Sequence, residues 1–142
     1  MSEAKVEQLI RAPRSKTFDA FVNPEIIIKF WLDSTTGALT TDAQVEWVFM
    51  VPGATEKVQV TEFKEYERLA FQWSDGANVC MVFSDVDEGT RLTVTVAGFD
   101  KTSQAVNAAE GFSIVLCDLK TLLETGRSAN LVRDKAILIS KS

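Results

Sequence analysis

The chain of 142 residues contains no histidine. That removes the usual general base near neutral pH, any Ser-His or Cys-His nucleophile pair and the commonest metal ligand. Cysteine occurs only at Cys80 and Cys117, without a CxxC spacing, so a zinc site has no ligand set. Both thiols lie in apolar runs (ANVCMVF and SIVLCDL) and are expected to be buried and reduced. Tyrosine occurs once, at Tyr66, and neither it nor any serine or threonine has a base to activate it. The glycines form no phosphate loop. Basic residues are the minority, 15 against 20 acidic, giving a net charge of -5. Such a surface repels nucleic acid phosphates and gives no reason to expect an anionic membrane partner. No apolar run nears the roughly 18 residues that span a bilayer, so membrane insertion is not expected. The opening residues MSEAKVEQ do not read as a signal peptide, and the expected location is cytoplasmic.

What is present is a composition of ordinary globular kind, 46% hydrophobic and 25% charged. The length suits one domain with a real core. The stretch Ser103–Thr125 carries apolar residues at Ala105, Ala108, Phe112, Val115, Leu119 and Leu122, steps of three and four that define one helical face. Ala109, Leu116 and Leu123 widen it, while Asp118, Lys120 and Glu124 fall outside. Ser103 reads as the N-cap and Gly126 as the stop. Gly111, inside the helix, costs about 1 kcal/mol relative to alanine. It either admits a close backbone or leaves room for something else.

Ahead of this helix the period is two. Lys5–Arg11 opens as a strand, and Pro13 suits the first turn of a helix through Phe18 and Phe21. Asn23-Pro24-Glu25 starts a second short helix. Thr36–Thr40 reads as a weak strand whose edge could pair with a neighbour. Strands follow at Val45–Val51, Glu56–Lys64 (with a bulge near Phe63), Arg68–Ser74, Asn78–Asp85 and Thr90–Gly98, joined by short turns such as Asp75-Gly76. Consecutive short connections favour a meander, and a long helix covering its apolar face makes a two-layer α+β protein. Residues 128–142 stand outside that pattern. They are expected to pack back on the 1–127 domain or to fray, the alternative being an added strand or a subunit contact.

Four stretches together, IRAPRSKTFDAFVNPEIIIKFW (10–31), ERLAFQW (67–73), EGTRLTVTVAGF (88–99) and EGFSIVLCDLKTLLETGR (110–127), resemble the heat-shock chaperone ATPase activator homologue-like family. That family sits in the wider START-like, pollen-allergen-like superfamily, and the resemblance covers about Glu3–Arg127. It implies a helix-grip fold: a curved antiparallel sheet of six to seven strands wrapped around the long C-terminal helix, two short helices after strand 1, and a cavity between sheet and helix. Two departures touch the cavity outline. Thr40-Thr41-Asp42-Ala43 replaces a glycine-rich lead into the third strand, and Phe112 stands where members commonly carry Trp.

The inward-facing set by alternation is Val45, Trp47, Phe49, Val58, Val60, Leu69, Phe71, Trp73, Val79, Met81, Phe83, Leu92, Val94 and Val96. The long helix adds Ala108, Phe112, Val115 and Leu119, and Trp31 closes one end. Most of this set is simply core. The middle of it is also the expected lining of an apolar pocket, with Trp31, Trp47, Phe49, Val60, Phe71, Trp73, Met81, Phe83, Val94, Ala108, Phe112 and Val115 as ligand-contacting residues. Small residues at Ala108, Ala109 and Gly111 face large aromatics there. Gln8, Glu62 and Gln72 are the polar groups that could orient a ligand. No catalytic set emerges: Asp85, Asp87 and Glu88 form a solvated acidic turn, and Asp118 with Glu124 lies off the apolar face. The expected function is binding of a hydrophobic or amphipathic small molecule (a lipid, polyketide or aromatic compound) by a monomer or homodimer, with no metal and no cofactor. The alternative is a protein-interaction module, a chaperone regulator or stress-response protein. A cyclase-like enzyme would have to work by positioning and desolvation alone.

Overall fold

The computed structural model describes residues 2–142. Its described residues form seven strands and four helices. Strand β1 (Ser2–Ile10) is followed by two short helices, α1 (Arg14–Val22) and α2 (Pro24–Phe30). Strands β2 (Leu32–Thr35), β3 (Gln44–Phe49), β4 (Thr55–Lys64), β5 (Arg68–Trp73), β6 (Asn78–Val86) and β7 (Gly89–Phe99) run as a meander. All pairings are antiparallel in the order β1-β7-β6-β5-β4-β3-β2. Helix α3 (Thr102–Thr125) covers the apolar face, and α4 (Leu131–Ser140) ends the chain. This is the α+β helix-grip architecture.

Local chemistry explains most element ends. Asn23 caps α2 by accepting from the Glu25 N–H at 3.0 Å, with Pro24 at the first helical position. The bulge in β4 lies between Val60 and Glu62, so Thr61 is the extra residue opposite β5. Helix α3 stops at Gly126, whose φ of 84° is the left-handed conformation glycine adopts at no steric cost.

Two boundaries and the burial of the cysteines differ from the sequence expectation. The second strand is Leu32–Thr35, not Thr36–Thr40. The chain turns into the sheet directly from Trp31, and at Gly37 a tight turn forms in which Thr35 Oγ1 donates to the Gly37 carbonyl at 3.0 Å. Leu39 beyond it is a buried plug, its N–H bonded to the Val22 carbonyl. Ser103 is not the cap of α3. Lys101 holds that position, and the Gln104 side-chain carbonyl accepts from the N–H groups of Asp100 and Lys101 at 3.1 and 3.0 Å. The cysteines are free but only half-buried. Cys80 lies on the outer side of the sheet, where partial burial pushes its thiol up in pKa despite the nearby Arg68 guanidinium.

Helix α3 lies along β1. Ser2 and Thr102 hydroxyls meet at 3.1 Å at one end, and at the other Lys120 Nζ donates to the Leu9 carbonyl at 2.7 Å. The lengths match: 18 residues of helix rise about 27 Å and seven of strand about 23 Å, so the two run side by side. Glu124 completes the clamp, accepting from the Arg11 N–H at 2.9 Å and from Lys120 Nζ at 2.7 Å. Partial burial pushes the Glu124 carboxyl up, but the Lys120 and Arg11 hydrogen bonds outweigh it and hold the group below the ordinary glutamate range. A depressed carboxyl stabilises the fold above its unfolded pKa and loses that contribution as pH falls through the folded value. Glu124→Gln should therefore be less stable than wild type at neutral pH, and the gap should close as pH drops below about 4.3, the ordinary glutamate value. Urea unfolding at a series of pH values reads this directly.

Candidate ligand cavity

The helix-facing side of the sheet is organised by a closed circuit of aromatic rings. Trp31 meets Trp47 (centroids 5.0 Å), Trp47 meets Phe71 (5.2 Å), Phe71 meets Trp73 (5.9 Å), Trp73 meets Phe112 (5.9 Å) and Phe112 returns to Trp31 (5.5 Å). The Trp73–Phe112 pair is stacked at 17°, whereas Trp31–Trp47, Trp47–Phe71 and Trp31–Phe112 meet edge to face. Phe49 leans on Trp31, Trp47 and Trp73. Each residue arrives by its element's own period: Trp47 and Phe49 alternate on β3, Phe71 and Trp73 on β5, Phe112 projects from α3, and Trp31 sits at the C-cap of α2. Each aromatic pair is worth about 0.5–1.5 kcal/mol beyond the area it buries.

Trp47 and Phe71 of the circuit are buried in the core, and the open space lies on the side of Trp31, Trp73 and Phe112. A cavity of about 280 Å³ is walled by Ala108, Gly111, Phe112, Ile114 and Val115 of α3 and by Val132, Lys135, Ala136 and Ile139 of α4. Phe49, Met50, Val51 and Ala54 at the β3–β4 turn, with Trp31 and Trp73, complete it. The lining is almost wholly apolar. Gly111 leaves room here rather than admitting a backbone, since nothing lies within 4 Å of where its Cβ would be. A wider depression of about 690 Å³ sits on the solvent side of β3–β5, lined by Gln44, Lys57, Gln59, Gln72 and Ser74 among others. Its amides bond one another, Gln44 Nε2 donating to Gln59 Oε1 at 2.6 Å, and it offers no apolar enclosure. We take the smaller cavity as the candidate site.

Of the twelve residues expected to contact a ligand, Trp31, Phe49, Trp73, Ala108, Phe112 and Val115 line this cavity. Trp47, Val60, Phe71, Met81, Phe83 and Val94 do not; all are at most 2% exposed in the closed core. The three polar candidates lie elsewhere. Gln8 is spent on the Leu9 N–H (3.2 Å) and the Cys117 sulfur (3.6 Å). Glu62, turned outward after the β4 bulge, pairs with Arg68 at 2.6 Å, and Gln72 faces solvent. Met50, Val51, Ala54 and the α4 residues were not expected at a site. Ile139 and Ala136 belonged to an apolar run at the end of the chain, and that run was the only signal.

Asp118 also corrects the sequence reading. It is 1% exposed rather than outside the apolar face. Its Oδ1 accepts from Ser128 Oγ at 2.8 Å and from the Ala129 N–H at 3.0 Å, fixing the turn that folds α4 back antiparallel to α3. Lys135 pairs with Glu110 at 3.3 Å on the far side. No group of histidine, cysteine and carboxylate residues able to hold a metal occurs among the described residues. None of their helices is long and apolar enough to cross a membrane.

Sheet, grip helix and apolar cavity place the protein in the helix-grip, START-like class. The family model for activator of Hsp90 ATPase homolog 1-like proteins matches residues 11–124, and the chain belongs to that family. A structure from Staphylococcus saprophyticus, SSP2350, is 25% identical with a TM-score of 0.81, covering 89% of this chain and 95% of that one. Aha1 of Colwellia psychrerythraea, solved as a dimer, shares 18% identity at a TM-score of 0.83 over 90% of this chain and all of that one. DynU16, from the dynemicin biosynthetic locus, shares 22% identity at 0.82, over 90% of this chain and 49% of that one. No match was found among curated proteins.

The Asp118 latch has a measurable consequence. Asp118→Ala removes the shared acceptor of the Ser128 hydroxyl and the Ala129 N–H, a loss of about 1–3 kcal/mol for the two hydrogen bonds together. Limited trypsin digestion should then cut at Arg127 or Arg133 well before the rest of the chain, while the wild type stays intact under the same conditions.

Proposed function

We propose that this protein binds a small apolar molecule in the cavity beneath α4. The observation that carries the reading is the contrast between the closed aromatic circuit and the concave, almost wholly apolar space that opens at its flank. Small-molecule sites are concave and mostly apolar, and an apolar occupant takes such a surface out of water. The volume equals roughly nine waters at about 30 Å³ each, the low end for small-molecule sites. That suits one or two fused rings or a short acyl chain rather than a long-chain lipid. With an almost wholly apolar lining and no activated nucleophile or paired carboxylates beside it, the pocket is built to shelter rather than to react.

Gly111→Leu tests the reading. Leucine is a better helix former than glycine by up to about 1 kcal/mol, and its side chain would occupy the cavity. The variant should keep or raise its melting temperature and lose at least tenfold in affinity for two-ring aromatics that shift wild-type melting. Failure of every aromatic and short acyl compound to bind wild type by calorimetry and native mass spectrometry would end the proposal.

A second reading, a protein-docking module of the chaperone-regulator kind, is favoured by the other side of α4. Leu131, Ile137 and Leu138 remain exposed there, Leu138 at 63%. Capture of one stoichiometric protein partner that Leu138→Lys abolishes, with no small molecule bound, would favour this reading over the first.

A further inference from the structure

Helix α4 carries four of the seven large hydrophobic residues that stand exposed among the described residues, although it is only ten residues long. Ile139 lines the cavity, and Leu131 with Leu138 borders a groove against α3. Ile137 lines neither, and Ile137 and Leu138 are 46% and 63% exposed. The helical period sets these two on the face opposite Val132, Ala136 and Ile139, which wall the cavity. The same period aligns Asp134 and Lys141 (i, i+7) along the middle of that outer face, with Ile137 on one flank and Leu138 on the other. Lys141 keeps right-handed helical dihedrals at the C-cap, so it continues the line. Both charges are exposed, and neither belongs to an ion pair among the described residues. Lys135, by contrast, pairs with Glu110 of α3.

We propose that this face is the contact between two copies of the chain, with α4 laid antiparallel on α4 of a second copy. A two-fold axis at the midpoint of Ile137 and Leu138 reverses the helix but keeps each flank on its own side. Ile137 then meets the partner's Ile137, and Leu138 meets the partner's Leu138. At equal distances from the axis, Asp134 meets the partner's Lys141 and Lys141 meets the partner's Asp134. The surface is its own complement, which is what a closed two-fold interface requires. A parallel pairing would set Asp134 against Asp134 and Lys141 against Lys141, and like charges repel. Charge complementarity therefore selects a second copy, in one orientation, to cover the two apolar side chains. The contact is small: ten residues rise about 15 Å, too short to bury the ~800 Å² per partner of a standard interface. The dimer is accordingly weak, forming at about 100 µM. None of this rests on the ligand reading, whose cavity lies on the other side of α4.

Sedimentation velocity on the full chain, from about 5 to about 500 µM, should show wild type passing from monomer to dimer. Asp134→Lys alone and Lys141→Asp alone should each stay monomeric throughout, because each faces a like charge at both ends of the contact. An equal mixture of the two restores both pairs and should dimerise within about threefold of wild type. Cysteine cross-linking reads the orientation without using charge. In a Cys80→Ser, Cys117→Ser background, oxidised Leu138→Cys should form a disulfide dimer, since both copies of position 138 lie at the axis. Leu131→Cys should not, because its copies fall about 20 Å apart, beyond the roughly 7 Å Cα reach of a disulfide. Monomeric wild type at the top of the range overturns the inference and leaves the face to a different protein. So does a dimer that persists in both single-charge variants, a folded mixture that stays monomeric, or a reversed cross-linking pattern. Should Asp134→Lys loosen α4 by circular dichroism, wild-type association and the cross-links decide.

Discussion

The closed aromatic circuit through Trp31, Trp47, Phe71, Trp73 and Phe112 sets the spacing between the sheet and its covering helix. Rings of fixed size cannot be compressed, so α3 can approach the β3–β5 side no closer than Phe112 stacked on Trp73 allows. On the opposite side the helix is drawn in, because β1 is held to it by Ser2, Leu9 and Arg11 at the two ends. The helix therefore sits close over β1 and β7 and stands off from the β3–β4 turn. A wedge of space beside α3 follows from those two constraints. Helix α4 occupies most of the wedge, and the cavity is what α4 leaves over.

Much of this is written in the sequence at the level of faces. Alternation picks out the inward side of every central strand because that side is buried against a helix, and the three-four spacing of α3 does the same for Phe112, Val115 and Leu119. A face, however, is not a cavity. Trp47 and Trp73 both belong to the same inward side, yet one is sealed in the core and the other walls the open space. The difference depends on which ring meets which, and that is set by rotamers and by the curvature of the sheet. Neither has a signature in the spacing of residues.

The elements misplaced from sequence fail for a common reason. Asp118 reads as solvent-facing because its partners, Ser128 Oγ and the Ala129 N–H, lie ten and eleven residues further on in a turn with no periodicity of its own. The second strand begins at Leu32 because α2 ends in the buried Trp31, and tertiary packing there outweighs the strand propensity of Thr36–Thr40. Gln104, rather than Ser103, satisfies the first turn of α3, since a side chain three residues in can reach back to two N–H groups at once. In each case a local rule was available, and a contact from elsewhere in the chain outweighed it.

The division of labour between α3 and α4 bears on how a ligand could enter. Opening the cavity through the aromatic circuit would break stacked and edge-to-face contacts that tie α2, β3, β5 and α3 together, each worth about 0.5–1.5 kcal/mol beyond its burial. Opening it at α4 asks much less. That helix is ten residues long, buries only Ala136 fully, and is held by the Asp118 latch at one end and by the exposed Lys135–Glu110 pair along its length. Exposed ion pairs contribute at most about 1 kcal/mol. Sub-global opening follows the least-buried unit, so on the proposed reading the short helix is the wall that would move, and the circuit is the floor against which a ligand would be held.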